Sequence, residues 1–102
     1  LVFIPGVGVG SRSYRPLLQA MQRAAASEGI SLFAGVVHYE SALEFPRQPE
    51  DLRARIDSLE AALRATGMQN GGPIFHAAHS LSTVFLQDHL RRMQNTAGQI
   101  LI

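Results

Sequence analysis

Hydrophobic residues are concentrated in four short runs along the chain, the first of them continuous, and longer segments of mixed polarity separate these runs. The runs cover residues 1–4, 30–37, 74–78 and 99–102. Continuous apolar runs of this length, rather than alternating ones, are typical of strands that are buried on both faces of a parallel sheet. The pattern therefore predicts four buried strands.

Three helices are predicted between these strands. The first covers about residues 14–27, the second begins at Glu50 or Asp51 and ends near residue 66, and the third follows Ser80 and ends near Gln94. Pro16 is tolerated in a first turn, and glycine suits the end of a helix. The apolar spacing predicts three sets of buried residues: Leu17, Leu18, Met21, Ala24 and Ala25; Leu52, Ile56, Leu59 and Leu63; and Leu81, Val84, Phe85, Leu90 and Met93.

Strands that alternate with helices predict an α/β fold, with a parallel sheet and helices on both of its faces in a three-layer α/β/α arrangement. The 102 residues, 46% of them hydrophobic, suit one packed domain. Because both ends of the chain lie in strand-like runs, we expect residues 1–102 to be the central part of a longer protein.

Composition narrows the choice of partners. A net charge of +1, with 17% charged residues, offers no electrostatic basis for binding nucleic acid or an anionic membrane. No apolar stretch is long enough to span a bilayer, and none resembles a signal peptide. The absence of cysteine excludes disulfides and thiolate metal sites but leaves the cellular compartment open.

A glycine-rich loop, Pro5-Gly6-Val7-Gly8-Val9-Gly10-Ser11, follows the first strand. A P-loop is excluded, because no Gly-Lys-Ser/Thr follows at the required spacing. A dinucleotide-binding loop matches two glycines, with Ser11 replacing the third, but its acid would be Glu40, about ten residues too far along. The loop could instead supply a backbone N–H to an oxyanion, or bind nothing.

The second candidate element surrounds Ser80. The strand 74–78 stops two residues before this serine, small residues (Ala78 and Ser82) flank it, and a helical pattern starts at once. A strand, a sharp turn and a helix in this order lift one side chain clear of the sheet edge, where its hydroxyl can meet a substrate. A serine before a helix is also a common N-cap.

Together, the glycine loop and the Ala78-His79-Ser80-Leu81-Ser82 segment resemble the α/β-hydrolase superfamily in its lipase and esterase form. The resemblance covers the middle of such a fold. It implies that Ser80 is the nucleophile and that the backbone N–H groups of Leu81 and Val7 form the oxyanion hole. Ala78 and Ser82 replace the flanking glycines of the family motif, and the first loop has Pro5 where many members have histidine.

In this family the acid and the catalytic histidine follow the serine, which places them after Ile102. We do not expect His76, His79 or His89 to replace the catalytic histidine. His79 should point away from the serine and His76 should pack in the core. His89 lies nine residues further along the helix, about 13 Å at the usual rise.

Four further residues are predicted to bind substrate. His38 and Tyr39 end the second strand, so they should lie at the same sheet edge as the loop glycines Gly6 and Gly8. All four could line an acyl pocket, and for His38 and Tyr39 simple exposure to solvent is an equal alternative.

The resemblance thus implies a serine hydrolase of carboxylic esters or thioesters, acting on a small or lipid-like substrate without metal or cofactor. Residues 1–102 alone should be inactive and prone to aggregate through their terminal strands. Two alternatives remain: a non-catalytic hydrolase-like binding module, and a Rossmann-type dinucleotide-binding segment.

Overall fold

The structure is a computed structural model that describes residues 1–93 and 96–102. It contains four strands and three α-helices, in strict alternation along the chain. The elements are β1 (Val2–Ile4), α1 (Arg15–Ser27), β2 (Gly35–Val36), α2 (Pro49–Ala65), β3 (Phe75–Ala78), α3 (Ser82–Met93) and β4 (Gly98–Leu101), with a 3-10 turn at Ser11–Tyr14 before α1.

The four strands form one parallel sheet in the order β2-β1-β3-β4. The register places Val2 of β1 opposite Gly35 of β2 and opposite His76 of β3. The predicted α/β fold with a parallel sheet is confirmed.

Helices cover both faces of the sheet. Successive side chains of a strand point to opposite sides, so β1 contributes residues to a separate core on each face. Val2 and Ile4 pack in a core with α2 and α3. Leu1 and Phe3 pack in a second core with α1. The three-layer arrangement is therefore as predicted.

The centre of the sheet is a topological switch point. From β1 the chain passes to α1 and on to β2 at one edge, whereas from the adjacent β3 it passes to α3 and on to β4 at the other edge. Connections that leave in opposite directions open a crevice at the carboxyl ends of the two strands, which is where ligands bind in open α/β sheets. The glycine loop after β1 and Ser80 after β3 both lie at this crevice.

The second strand is shorter than predicted. Only Gly35–Val36 is a strand, and Ile30 is 58% exposed. The backbone N–H of Ile30 donates to the carbonyl of Ala25, and the side-chain amide of Gln22 donates to the carbonyl of Leu32. These bonds attach the start of the apolar run to α1, so the run cannot join the sheet until Gly35.

The inner face of α3 also differs from the prediction. Leu81 and Val84 are 50% and 60% exposed, whereas Leu86 and His89 are buried. The rotation of the helix is set by its first residue, Ser82, whose side chain points inward, and residues four and seven positions further along share that face.

The remaining predicted core positions divide as follows. The α2 stripe is confirmed, because Leu52, Ile56 and Leu63 are buried and Leu59 is half-buried. In α1, Leu18 is buried, Met21 and Ala25 are half-buried, and Leu17 and Ala24 are exposed. In α3, Phe85 and Leu90 are half-buried. The predicted helix end at Gln94, the turn at Asn95 and the side chain of Met93 lie outside the described residues. Over the described ranges, none of the helices has both the length and the apolar character needed to cross a membrane.

Candidate active site

Ser80 has a left-handed backbone conformation, with φ of 57°. It is the one residue other than glycine with positive φ among residues 1–93 and 96–102. This conformation costs a residue with a Cβ atom about 1–2 kcal/mol. Strain of this kind persists only where surrounding contacts impose it, and it is concentrated at functional sites.

Hydrogen bonds to two neighbouring strands impose the turn. The N–H of His79 donates to the carbonyl of Ile4 at the end of β1, at 3.2 Å. The N–H of Ser80 donates to the carbonyl of Ile102 after β4, at 2.9 Å. The serine is thus held between both neighbours of β3.

The hydroxyl of Ser80 has no structural use within the described part of the chain. Its Oγ forms no hydrogen bond there, and its side chain is exposed. The N–H and the hydroxyl of Thr83 both donate to the carbonyl of Ser80, at 3.0 and 2.8 Å. An N-cap serine instead has an extended backbone and accepts an N–H with its side chain. Ser80 does neither, so the alternative of a simple cap is not supported.

The small residues on either side of Ser80 are accommodated. Ala78 is fully buried, and Ser82 is 2% exposed. The Oγ of Ser82 donates to the carbonyl of Pro5, at 2.5 Å. The hydroxymethyl group that replaces a glycine hydrogen therefore has both space and a hydrogen-bond acceptor.

The glycine loop turns sharply after β1. The N–H of Val9 donates to the carbonyl of Gly6 at 3.1 Å, and Gly8 between them has φ of 85°. These are the features of a type II turn, whose third position favours glycine because φ is positive there. The N–H of Gly8 donates to the carbonyl of Ala42 at 2.6 Å, which ties the loop to the segment after β2.

Gly6 is required for a different reason. A Cβ atom on this buried residue would lie 2.6 Å from Nδ1 of His79 and 3.3 Å from the hydroxyl of Tyr14. The N–H of Gly6 donates to that hydroxyl at 2.8 Å, and the same oxygen lies 2.8 Å from Nδ1 of His79. The glycine loop and the serine turn (His79-Ser80-Leu81) therefore pack against each other, and the hydroxyl of Tyr14 bonds to both.

The backbone N–H groups of the glycine loop and of the turn at Ser80 differ in whether they have an acceptor. The N–H groups of Gly6, Gly8 and Val9 all have acceptors. Those of Val7 and Leu81 have none in the described ranges. The two amides that the hydrolase resemblance implies for an oxyanion are thus both available, as is the N–H of Gly10 further along the loop.

None of the histidines near Ser80 is its hydrogen-bond partner. Nδ1 of His79 is bonded to Tyr14. Nδ1 of His76 lies 2.9 Å from the hydroxyl of Thr96, and its ring centroid is 6.3 Å from that of His89. Burial, followed by repulsion from His89, lowers the pKa of His76 to about 4, and burial also lowers the pKa of His89. This buried pair lies between β3 and α3.

Tyr39 reaches the glycine loop. It lines a cavity of about 30 Å³ together with Pro5, Gly6, Val9, Gly10, Ser11, Ser41 and Ala42. Its hydroxyl is buried and lacks a hydrogen-bond partner among the described residues, while the guanidinium of Arg55 lies 4.6 Å from its ring centroid. Burial raises the pKa of Tyr39 from its ordinary value to about 12.

His38 lies elsewhere. It lines a groove of about 390 Å³ between β2 and α2, formed with Val36, Ala54, Arg55, Ser58, Leu59 and Ala62. Its side chain is 75% exposed, and its Nε2 lies 4.0 Å from the carboxylate of Glu40. The structure therefore brings Tyr39, but not His38, to the loop, and it leaves Glu40 at the surface.

Tyr14 is the residue at this site that the sequence did not reveal. In the pattern it only marks the start of a helix, and its hydroxyl contacts depend on residues 8 and 65 positions away. An aromatic residue shortly after a glycine loop is the one available signal. Over the described ranges, no group of three His, Cys, Asp or Glu side chains is arranged to hold a metal ion.

Comparison with known proteins adds no relative: no family model, curated protein or solved structure matches the chain.

Proposed function

We propose that the protein is a serine hydrolase of carboxylic esters or thioesters, with Ser80 as its nucleophile. The observation that carries the proposal is the conformation of Ser80, which is strained, exposed and not used for capping. Its position at the topological switch point is where a substrate would be expected. The strained conformation of Ser80, whose hydroxyl has no structural role in the described chain, favours a catalytic role for this residue.

The reaction forms a bond between Ser80 Oγ and the acyl carbon, and the carbonyl oxygen becomes an oxyanion. The N–H groups of Val7 and Leu81 are the proposed donors to that oxygen, since neither has another acceptor in the described chain. Collapse of the intermediate expels the alcohol or thiol, and water then releases the acid from the acyl-serine.

A general base must take the proton of Ser80 and pass it to the leaving group. None of the nearby histidines in the described chain is placed to do so. His79 bonds to Tyr14, His76 bonds to Thr96, and His76 and His89 form a buried pair between β3 and α3. We therefore assign this role to a histidine after Ile102, oriented by an acid, as the hydrolase resemblance implies.

The proposed substrate is a small or lipid-like ester. Leu81 and Val84 lie exposed at the start of α3, next to Ser80, and give the surface there an apolar character. An acyl chain would bury this surface, whereas the net charge of +1 offers nothing to a nucleic acid backbone.

The test is covalent labelling of the natural full-length protein with a fluorophosphonate, which reacts with activated serines. We expect one labelled residue, Ser80, and no labelling of Ser80→Ala. Ser58→Ala, at an exposed serine of α2, is the matched control and should label like the wild type. An unlabelled wild type, or equal labelling of Ser80→Ala, would instead favour a non-catalytic binding module.

A further inference from the structure

We propose that Tyr14 is a positioning residue of the candidate active site. Its hydroxyl holds the Gly6 amide, one residue before the proposed donor Val7, and the His79 ring, one residue before Ser80. The inference rests on the proposed function, since it concerns how the two halves of the same site are aligned.

The tyrosine ring is itself firmly held. Tyr14 is 8% exposed and lies at the end of the 3-10 turn before α1. Its ring centroid is 4.7 Å from that of Phe3 in β1 and 5.8 Å from that of His79, which it meets edge-on. A buried ring packed on two sides gives its hydroxyl oxygen one position.

The hydrogen bonds around this oxygen favour one tautomer of His79. The oxygen of Tyr14 accepts the Gly6 N–H and lies 2.8 Å from Nδ1 of His79. Donation of the buried hydroxyl proton to Nδ1 gives that proton an acceptor, whereas a protonated Nδ1 would leave it without one in the described chain. A histidine that accepts at Nδ1 carries its proton on Nε2. Tyr14 therefore selects one tautomer of His79, and the tautomer reports on the link.

The alignment matters because oxyanion donors act over a narrow range of distance. Loss of one donor costs about 10²–10³-fold in rate, and donors must lie about 3 Å from the oxyanion. The donors Val7 and Leu81 come from separate loops, and Tyr14 bonds to the residue before Val7 and to the residue two before Leu81. Without the Tyr14 hydroxyl, the buried Gly6 N–H has no acceptor, and the hydrogen bonds that join the two loops are lost.

The variant Tyr14→Phe removes the hydroxyl and keeps the ring. In the full-length protein we expect fluorophosphonate labelling of Ser80 to slow by about tenfold or more, as for partial loss of one oxyanion donor. Thr66→Val is the matched control, because it removes a hydroxyl whose hydrogen bond to the carbonyl of Leu63 lies at the C-terminal end of α2, outside the candidate site. Its labelling rate should stay at the wild-type value.

The tautomer of His79 is a second measurement, and it would not change if Tyr14 contributed only packing. The ¹⁵N spectrum of His79 should show an unprotonated Nδ1 and a protonated Nε2 in the wild type, and a larger population of the other tautomer in Tyr14→Phe. If Tyr14→Phe does not fold, His79→Asn and His79→Ala replace it. Asparagine keeps an acceptor near the position of Nδ1, so His79→Asn should label faster than His79→Ala.

The outcomes separate the two proposals. If the wild type is labelled at Ser80 and Tyr14→Phe is labelled at the same rate with the same His79 tautomer, the positioning role is wrong and the hydrolase proposal stands. Equal labelling of His79→Asn and His79→Ala would overturn the role in the same way. If the wild type is not labelled, the proposed function itself fails.

Discussion

The hydroxyl of Ser82 donates a hydrogen bond to the carbonyl of Pro5, and this bond joins the first residue of α3 to the end of β1. Both residues are buried. Ser82→Ala would leave the carbonyl without this donor in an interior that water does not reach. We expect a loss of about 1–3 kcal/mol in the free energy of unfolding, measured by urea denaturation.

A matched serine-to-alanine change separates this bond from the general effect of the substitution. Ser58 is exposed on α2, and Ser58→Ala should change the free energy of unfolding by less than about 0.5 kcal/mol. Equal stability of Ser82→Ala and the wild type would show that the bond to Pro5 contributes nothing.

Gly6→Ala tests the contact between the glycine loop and the serine turn. The new Cβ would lie 2.6 Å from Nδ1 of His79 and 3.3 Å from its carbonyl oxygen, so the His79 ring or one of the two loops must shift. We expect a loss of about 1–3 kcal/mol from overpacking, together with slower labelling of Ser80. Gly10→Ala is the control, since its Cβ would meet nothing within 4 Å and φ of Gly10 is −62°. A destabilisation of Gly10→Ala as large as that of Gly6→Ala would contradict this account.

Ser80→Gly should separate stability from activity. Glycine adopts φ of 57° without the Cβ strain that serine and alanine share. Ser80→Gly is therefore expected to be more stable than Ser80→Ala by about 1 kcal/mol, while neither variant is labelled. Thermal unfolding of the two variants side by side measures this difference, and a less stable glycine variant would argue against strain at Ser80.

Stability should fall in mild acid because of the buried pair His76 and His89. Burial, then the neighbouring His89, lowers the pKa of His76 from 6.5 to about 4. Between these values the unfolded chain binds more protons than the folded one, so the contribution of His76 is complete above pH 6.5 and is lost as the pH falls toward 4. The loss is at most on the order of 3 kcal/mol.

Urea denaturation at pH 7 and pH 5 measures this effect. His76→Gln should reduce the difference between the two pH values, because it removes the titrating group. His38→Gln, at a histidine whose side chain is 75% exposed, should leave the difference unchanged. Equal pH dependence in wild type and His76→Gln would show that other groups cause the acid sensitivity.

The fold was largely predictable because the strands lie in mostly apolar runs, and because α1 and α2 end shortly before a glycine, Gly29 and Gly67. The α2 stripe is the clearest case, since Leu52, Ile56 and Leu63 follow the helical period and are buried. The errors arose where particular hydrogen bonds outweigh the hydrophobic pattern. Ile30 is attached to α1 instead of the sheet, and the inward side chain of Ser82 rotates α3 so that Val84 is exposed.

The alternation of strands and helices along the chain and the small residues around Ser80 follow from the amino-acid sequence, because they depend on residue type and on spacing. The strain at Ser80, the lack of a capping role for its hydroxyl and the link from Gly6 through Tyr14 to His79 are visible only in the folded chain. Those features depend on backbone angles and on atoms that are distant in sequence. The parallel sheet brings them together by placing β1 beside β3, with their carboxyl ends at one edge.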